Sequence, residues 1–215
     1  ADYFEQLSAC PRLTALTDLN MRNTPVHPAW LRTLLTGPAL PALRGLDLAD
    51  NVHLSPVLAE ALPHADHRKF ARLDLSYIVF RSDTVQKVLS SRCVRGVEEL
   101  RLAWRPASGP GPLTHLDLGW GLPWDRLRVL DLDGQGVGDA GVSELVAELR
   151  RRRAPAPLRW LGLANNRLGA DAVRALVNSD ESKLKLYHLD LRGHGLTAGQ
   201  TAALRNRFPE AEVLC

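Results

Sequence analysis

Apolar residues recur along the chain in one short frame: an apolar residue, two variable positions, a second apolar residue, one variable position and a third apolar residue. Eight segments share this frame, and they begin at Leu16, Leu43, Phe70, Val97, Leu113, Leu127, Leu158 and Leu186. All their apolar positions hold Leu, Met, Val or Phe, and the starts are separated by 27, 27, 27, 16, 14, 31 and 28 residues. Alternation over so few residues is typical of a half-buried strand, so the pattern predicts eight short strands in repeated units.

Helix signals follow several of the frames. Ser55 is the predicted N-cap of a helix with Pro56 at its first position, and either Ser82 or Asp83 caps another. Thr197 and Gln200 have the spacing of a capping box. Further helices are expected near residues 28–35, 139–152 and 170–178. A strand with one apolar face cannot bury that face alone, so we expect the units to stack as a parallel sheet covered by helices.

The repeated frame resembles the leucine-rich repeat family, whose unit is written L-x-x-L-x-L-x-x-N-x-L. The resemblance covers nearly the whole chain, and the periods of 27 to 31 residues are similar to the ribonuclease-inhibitor-like subclass and to bacterial multi-repeat proteins. It implies a right-handed curved α/β solenoid with about eight parallel strands on the concave face and helices on the convex face. It does not carry the function of ribonuclease inhibitors, because a fold does not specify a partner.

The family's asparagine follows each strand and bonds to backbone groups of neighbouring turns. Asn51 and Asn166 match that position, and Gln135 can imitate it. Five units lack the match, and irregular loops are expected there, at Thr24, Ile78, Arg105, Gly121 and His194.

Two units are too short for a helix, and Pro and Gly interrupt them, so a helix-less irregular middle is expected near 103–126. Residues 1–215 are expected to form a single domain. Residues 1–11 are interpreted as the tail of a preceding repeat, which suggests a fragment of a longer parent, and residues 209–215 as a short closing segment.

Composition narrows the function classes. The net charge of +3 includes four charges from Arg150 to Arg153, so the overall charge gives no case for nucleic acid. The three cysteines are odd in number and scattered, which favours a reducing compartment over a disulfide framework. Neither a membrane-length apolar run nor a signal peptide is apparent, and a cytoplasmic protein without membrane contact is expected.

A search for catalytic and metal-binding motifs finds no complete set. The segment from Asp131 to Asp139 matches the first spacings of a calcium loop, but Val142 stands where the last ligand is required. His64 and His67 lack a third ligand. We therefore expect no enzyme activity, no metal and no cofactor.

The variable residue between the second and third apolar positions, here called the column position, should face away from the core. Across the eight frames it reads Asn20, Asp47, Asp74, Arg101, Asp117, Asp131, Gly162 and Asp190. The aspartates are interpreted either as a binding surface or as residues that only solvate an exposed strand.

Aromatic residues lie beside this column. Tyr77, Trp104 and Trp120 each stand two places after the third apolar position, and Trp160 lies on a later strand. Exposed aromatic side chains are typical of binding hot spots. The alternative is that these rings fill the space that the missing helices would occupy.

The favoured hypothesis is a non-catalytic module that binds a basic protein or peptide on the concave face, with aspartates pairing to Arg or Lys and tryptophan stacking on them. Its candidate residues are Asp47, Asp74, Tyr77, Arg101, Trp104, Asp117, Trp120, Asp131, Trp160 and Asp190. One alternative is a regulatory or sensor segment of a larger enzyme or signalling protein. Nucleic-acid binding through Arg150 to Arg153 is a further alternative, which the acidic column opposes. The sequence leaves the oligomeric state open.

Overall fold

The computed structural model describes residues 10–80, 82–105 and 122–215. In these ranges the chain forms one sheet of eight parallel strands, each three residues long, which lie side by side in chain order. The strands are β1 (Asp18–Asn20), β2 (Gly45–Asp47), β3 (Arg72–Asp74), β4 (Glu99–Arg101), β5 (Val129–Asp131), β6 (Trp160–Gly162), β7 (His188–Asp190) and β8 (Glu212–Leu214). The prediction of a repeat-like parallel α/β architecture is therefore confirmed.

Six α-helices lie in the same ranges, between strands that neighbour one another in the sheet. They are α1 (Pro28–Thr36), α2 (Ser55–Ala61), α3 (Ser82–Ser90), α4 (Asp139–Arg151), α5 (Ala170–Val177) and α6 (Ala198–Arg207). Helices α1, α2 and α3 pack in succession, as do α4, α5 and α6. None of the helices in these ranges has the length and apolar character needed to cross a membrane.

The core lies between the sheet and the helices. The middle residue of each strand pairs in register with its counterpart, as Leu46 does with Leu73, and faces the core. Full burial is confirmed for all eight leucines predicted to be in the core, which are Leu46, Leu48, Leu73, Leu75, Leu130, Leu132, Leu161 and Leu163. Side chains alternate along a strand, so the first and third residues of each strand form the opposite surface, here called the polar face.

The described sheet passes directly from β4 to β5, with Leu100 opposite Leu130, although the repeated frame at Leu113 predicts a strand at this point of the sequence. That frame falls in residues 106–121, outside the described ranges. The last strand of the sheet is β8, which lies within the predicted closing segment 209–215 and pairs with β7. Of the predicted helix-less stretch, residues 103–105 and 122–126 contain no helix, and the remainder is outside the described ranges.

Among the predicted N-caps, Thr197 is confirmed and Ser55 is not. Ser82 and Asp83 are already the first two residues of α3. The capping box of Thr197 and Gln200 is formed, and Arg150 and Arg151 lie in the last turn of α4. Ser55, in contrast, is already the first residue of α2. A 3-10 turn over Val52–Leu54 runs directly into that helix, so the backbone is helical before Ser55 and the prediction of Ser55 as N-cap is wrong.

Inward-pointing amides connect successive turns. Asn51 donates to the carbonyl oxygen of Met21, and Asn166 donates to that of Leu132, at 2.8 and 2.9 Å. Their Oδ1 atoms accept from backbone N–H groups of the preceding unit. Gln135 makes the equivalent contact with the carbonyl of Leu102, so the predicted imitation is confirmed.

His194 takes the same position in the last unit, although no amide was predicted there. Its Nε2 lies 2.9 Å from the carbonyl oxygen of Leu163, which is the counterpart of the carbonyls that the amides contact. The expectation of an irregular loop caused by a mismatch at His194 is therefore wrong. An imidazole N–H donates to a backbone carbonyl as an amide does.

Two buried arginines close the ends of helices in preceding units. The Arg68 guanidinium donates to the carbonyls of Gly37 and Leu40, just after α1, at 2.9 Å each. The Arg207 guanidinium donates to the carbonyls of Ser179 and Leu184, just after α5, at 3.0 and 3.1 Å. Both side chains satisfy backbone carbonyls in the segments that follow these helices.

Candidate functional site

The column residues have a structural role in the turn that follows each strand. One side-chain oxygen accepts the backbone N–H two residues further on, at 2.9 to 3.1 Å, in Asn20, Asp47, Asp74, Asp131 and Asp190. Asn and Asp are favoured there because their short side chains can close such a turn. Solvation of an exposed strand is therefore not the only reason for the aspartates, two of which, Asp131 and Asp190, are buried.

Strands β4 and β6 have no Asn or Asp at the column position. A side chain of the preceding unit accepts the turn N–H there instead. Where Arg101 stands, the N–H of Ala103 donates to the hydroxyl of Ser76 at 3.2 Å. Beyond Gly162, the N–H of Ala164 donates to Asp133 Oδ1 at 2.9 Å. The turn N–H groups are thus satisfied on both kinds of strand.

The second oxygen of the column aspartates faces guanidinium groups. Arg22 bridges three carboxylates, with its nitrogens 3.5 Å from Asp47 Oδ2, 3.3 Å from Asp50 Oδ2 and 3.2 Å from Asp74 Oδ2. Further along the column, an Arg101 nitrogen lies 3.7 Å from Asp131 Oδ2 and an Arg192 nitrogen lies 2.6 Å from Asp190 Oδ2. Each described column aspartate therefore uses one oxygen for its turn and presents the other to an arginine.

Burial and neighbouring charges give the carboxylates on this face different pKa values. Burial raises the pKa of Asp131, against the hydrogen bond from the N–H of Asp133 and the charge of Arg101. Burial also acts to raise the pKa of Asp190, but hydrogen bonds from the Arg192 side chain and backbone bring it below its ordinary value. Burial, followed by the charge of Asp131, raises the pKa of Asp133 to about 7. Asp133 therefore changes charge near neutral pH.

Trp160 lies on the polar face between two polar side chains. Its ring stacks on the His188 ring, with centroids 4.9 Å apart and planes 2° from parallel. The guanidinium carbon of Arg101 lies 5.1 Å from its centroid. Gly162 makes this placement possible, because a Cβ at that position would lie 2.6 Å from Trp160 Cη2 and 2.7 Å from Asp133 Oδ1.

Tyr77 carries a second aromatic ring beside an arginine. The guanidinium carbon of Arg105 lies 4.9 Å from the Tyr77 ring centroid, and the same guanidinium pairs with Asp50. Burial raises the pKa of Tyr77, and the carboxylates of Asp131 and Asp133 raise it further, so the hydroxyl stays protonated at neutral pH.

The backbone at Tyr77 is unusual for a bulky residue. Its φ is +62°, in the left-handed region. Equivalent turn positions in other units also have positive φ and hold residues that tolerate it, namely Asn23, Asp50, Gly134, Asn165 and Gly193. A tyrosine at this position costs backbone energy, and such strain is often found at binding surfaces.

Three of the ten predicted site residues are not found exposed on the polar face, because one is buried and two lie outside the described residues. Trp104 is 6% exposed, so the prediction that its ring stands open on the polar face is wrong, and the packing interpretation is favoured for it. The backbone N–H of Trp104 donates to the backbone carbonyl of Asp133, which joins that turn to the next unit. Asp117 and Trp120 lie outside the described residues. The other seven, Asp47, Asp74, Tyr77, Arg101, Asp131, Trp160 and Asp190, border the polar face.

The segment resembling a calcium loop directs its side chains to separate partners. Gln135 is buried against the carbonyl of Leu102. Asp139 accepts from the N–H groups of Gly169 and Ala172 at the start of α5. Within the described ranges, no group of three or more His, Cys, Asp or Glu side chains is placed to hold a metal ion.

A groove with a volume of about 240 Å³ crosses the polar face over β1 to β4. Asp18, Asp47, Asp74 and Glu99 line it, together with two arginines. Its floor includes Gly45, where a Cβ would collide with the Asp18 carboxylate and fill part of the groove.

Sequence reasoning missed the arginines that face the column and the polar residues of the turns. The missed residues are Arg22, Asp50, Arg105, Asp133, His188 and Arg192. A signal was present, because Arg22 and Arg192 each stand two places after a column residue. At Arg192 this spacing puts the guanidinium on Asp190 of the same turn, whereas Arg22 contacts the aspartates of the following units.

Comparison with known proteins adds no assignment. No protein-family model matches the chain, and a search of curated proteins returns no match.

Proposed function

We propose that the chain is a leucine-rich-repeat interaction module of the ribonuclease-inhibitor-like subclass, without catalytic activity, which binds a basic protein or peptide on the polar face. The observation that carries this proposal is that each described column aspartate uses one carboxylate oxygen to close its turn and presents the other to an arginine. Their second oxygens already face guanidinium groups, so this face has the donor-acceptor geometry that an arginine-bearing partner requires.

The balance of charge supports a basic partner. Acidic groups outnumber arginines nine to five among the outward-facing residues of the described strands and the turns that directly follow them. The acids are Asp18, Asp47, Asp50, Asp74, Glu99, Asp131, Asp133, Asp190 and Glu212, and the arginines are Arg22, Arg72, Arg101, Arg105 and Arg192. The remaining negative charge favours the approach of a cationic polypeptide and disfavours nucleic acid.

The repeat assignment is supported by the regular inward hydrogen bonds of the turns. Asn51, Gln135, Asn166 and His194 each contact the carbonyl that follows the strand of the preceding unit. This is the role that the family resemblance implies for its asparagine. A surface built from parallel strands at a regular spacing suits an extended partner that crosses several units.

The experiment measures binding of a hexa-arginine peptide to the purified chain by isothermal titration calorimetry. The test variant is Asp47→Asn/Asp74→Asn, which removes two charges but keeps the oxygen that closes each turn. The control is Asp66→Asn/Asp171→Asn, which removes two charges from exposed ion pairs with Arg92 and Arg174 elsewhere.

We expect the test variant to bind hexa-arginine at least about tenfold more weakly than the wild type, a loss of about 1.4 kcal/mol. The control should bind like the wild type, and binding to both should weaken as salt is added. Equal weakening in both variants would show that only net charge matters, and absence of binding to the wild type would refute the proposal.

A further inference from the structure

Arg101 is held by two different kinds of contact at once. One of its guanidinium nitrogens lies 3.7 Å from Asp131 Oδ2, and its guanidinium carbon lies 5.1 Å from the centroid of Trp160. A carboxylate beside an aromatic face is a combination that binds a guanidinium in particular, since its planar group can stack and donate at the same time.

The same combination occurs a second time on this face. Arg105 pairs with Asp50 and lies 4.9 Å from the centroid of Tyr77. Its guanidinium is well exposed, whereas the Asp50 carboxylate is mostly buried. Two carboxylate-aromatic pairs are therefore both filled by arginines of this chain.

The Trp160 pair is the more firmly built of the two. The Trp160 ring also stacks on His188, and His188 Nδ1 lies 3.1 Å from a carboxylate oxygen of Glu212. Gly162 leaves room for the ring to lie over its own strand. The ring is thus supported by β6 and β7 and does not depend on Arg101 for its position.

We infer that Trp160 and Asp131 form a guanidinium-binding subsite, here called the Trp160 cage, which Arg101 fills in the free protein and which an arginine of the partner takes over by displacing Arg101. Arg101 is about one-third exposed, while the Asp131 carboxylate is nearly covered. The occupant can therefore swing into solvent, and the carboxylate cannot. This inference rests on the proposed function, because it names the partner side chain that the polar face selects.

Exchange has a definite energetic consequence. The partner's arginine gains only the difference between its own contacts in the cage and those that Arg101 gives up. Removing the Arg101 guanidinium takes away the competitor, so binding of an external guanidinium should become tighter when Arg101 is truncated. A purely structural role for Arg101 predicts the opposite or no change.

The test fills the vacated cage with a small molecule. Ethylguanidinium is titrated into wild-type protein and into the Arg101→Ala variant, and the NMR signal of the Trp160 indole N–H is followed, assigned by its loss in Trp160→Phe. Butylammonium at the same concentration and ionic strength is the matched control, since it carries the same charge without the planar group. Arg101→Gln is the second variant if Arg101→Ala fails to fold.

We expect a saturable shift of the Trp160 signal in Arg101→Ala, with a midpoint at least about tenfold lower than in the wild type. Butylammonium should bind several-fold more weakly than ethylguanidinium. Adding Asp131→Asn to Arg101→Ala should weaken the ethylguanidinium response. An Arg101→Ala response no stronger than that of the wild type, or equal responses to the two cations, would overturn the inference.

A second readout separates this inference from the proposed function. Hexa-arginine should bind Arg101→Ala several-fold more tightly than it binds the wild type, and an unchanged or weaker affinity would overturn the exchange. If hexa-arginine binds neither protein while ethylguanidinium still fills the variant, the proposed function fails, and the exchange with a partner arginine fails with it. If hexa-arginine binds the wild type but ethylguanidinium never fills the variant, only the cage is refuted.

Discussion

Each column aspartate divides its two oxygens between the fold and the surface. In Asp74, Oδ1 accepts the N–H of Ser76 at 2.9 Å, while Oδ2 lies 3.2 Å from an Arg22 nitrogen. Asparagine preserves the first contact and loses the charge needed for the second. Substitution by asparagine or by alanine therefore separates the structural role of the side chain from its electrostatic role.

Asp74→Ala should lower the free energy of unfolding by about 0.5 to 1.5 kcal/mol, because it removes the acceptor that closes the turn. Asp74→Asn should cost less, since it loses only a partly exposed ion pair. Urea denaturation of the two variants measures the difference. Equal destabilisation would show that the ion pair with Arg22, and not the turn, is what matters for stability.

Asp133 gives the fold a dependence on pH. Burial and the charge of Asp131 raise its pKa from 3.8 to about 7, so the folded protein binds this proton more tightly than the unfolded chain does. The stability contributed by that proton is complete below pH 3.8 and is lost as the pH rises through about 7. Asp133→Asn keeps the acceptor for Ala164 and removes the titration.

We expect Asp133→Asn to melt at a higher temperature than the wild type at pH 8, with the difference disappearing near pH 4. Asp190→Asn is the control of opposite sign, because contacts with Arg192 lower the pKa of Asp190. Its loss of stability should be present at pH 8 and should diminish as the pH falls below 3.8. Melting curves from pH 8 to below pH 3.8 measure both effects. A difference for Asp133→Asn that does not vary with pH would contradict the raised pKa of Asp133.

At the scale of elements, the turns are joined by side chains that reach from one unit to the preceding one. His194 performs with an imidazole what Asn51 and Asn166 perform with an amide. His194→Asn should therefore keep nearly the stability of the wild type, whereas His194→Ala should cost about 0.5 to 1.5 kcal/mol, because the carbonyl of Leu163 loses one of its two donors and keeps only Asn166. Thermal and urea unfolding compare the pair. Equal stability of the two variants would mean that His194 does not serve as the amide's substitute.

The ends of helices are also stabilised by side chains that reach back to the preceding unit. Arg68 is 4% exposed and donates to several carbonyls at the end of α1. We expect Arg68→Ala to cost about 2 to 4 kcal/mol, because four carbonyls each lose a donor together. Arg44, whose side chain is exposed, provides a control in Arg44→Ala. A cost for Arg68→Ala no larger than that of the control would contradict the capping role.

For the whole molecule, hydrophobic periodicity was sufficient to predict the strands and their register. Leu46, Leu130 and Leu161 repeat at fixed positions, and each can be buried only if its strand lies beside the next. A frame records where apolar residues fall and not which strands become neighbours, so it did not predict that β4 and β5 pair directly. Direct pairing of β4 with β5 depends on contacts between distant residues.

The candidate site was less predictable than the fold. The alternation of the strands placed Asp47, Asp74 and Trp160 on one face, but it carried no information about pairing among polar side chains. Arg22 contacts carboxylates up to 52 residues away, which no local pattern records. Burial of Trp104 likewise depends on the folded surroundings of its turn and not on its spacing from Tyr77.

Binding of a basic partner to the polar face can be tested by mapping the binding site along the whole chain. In a titration of the ¹⁵N-labelled protein with hexa-arginine, we predict that NMR shifts concentrate at the backbone amides of Asp47, Asp74 and Asp131 and at the Trp160 indole N–H. The amides of α4 and α5, behind the sheet, should move little. Shifts centred on those helices, or no saturable shift anywhere, would contradict the account.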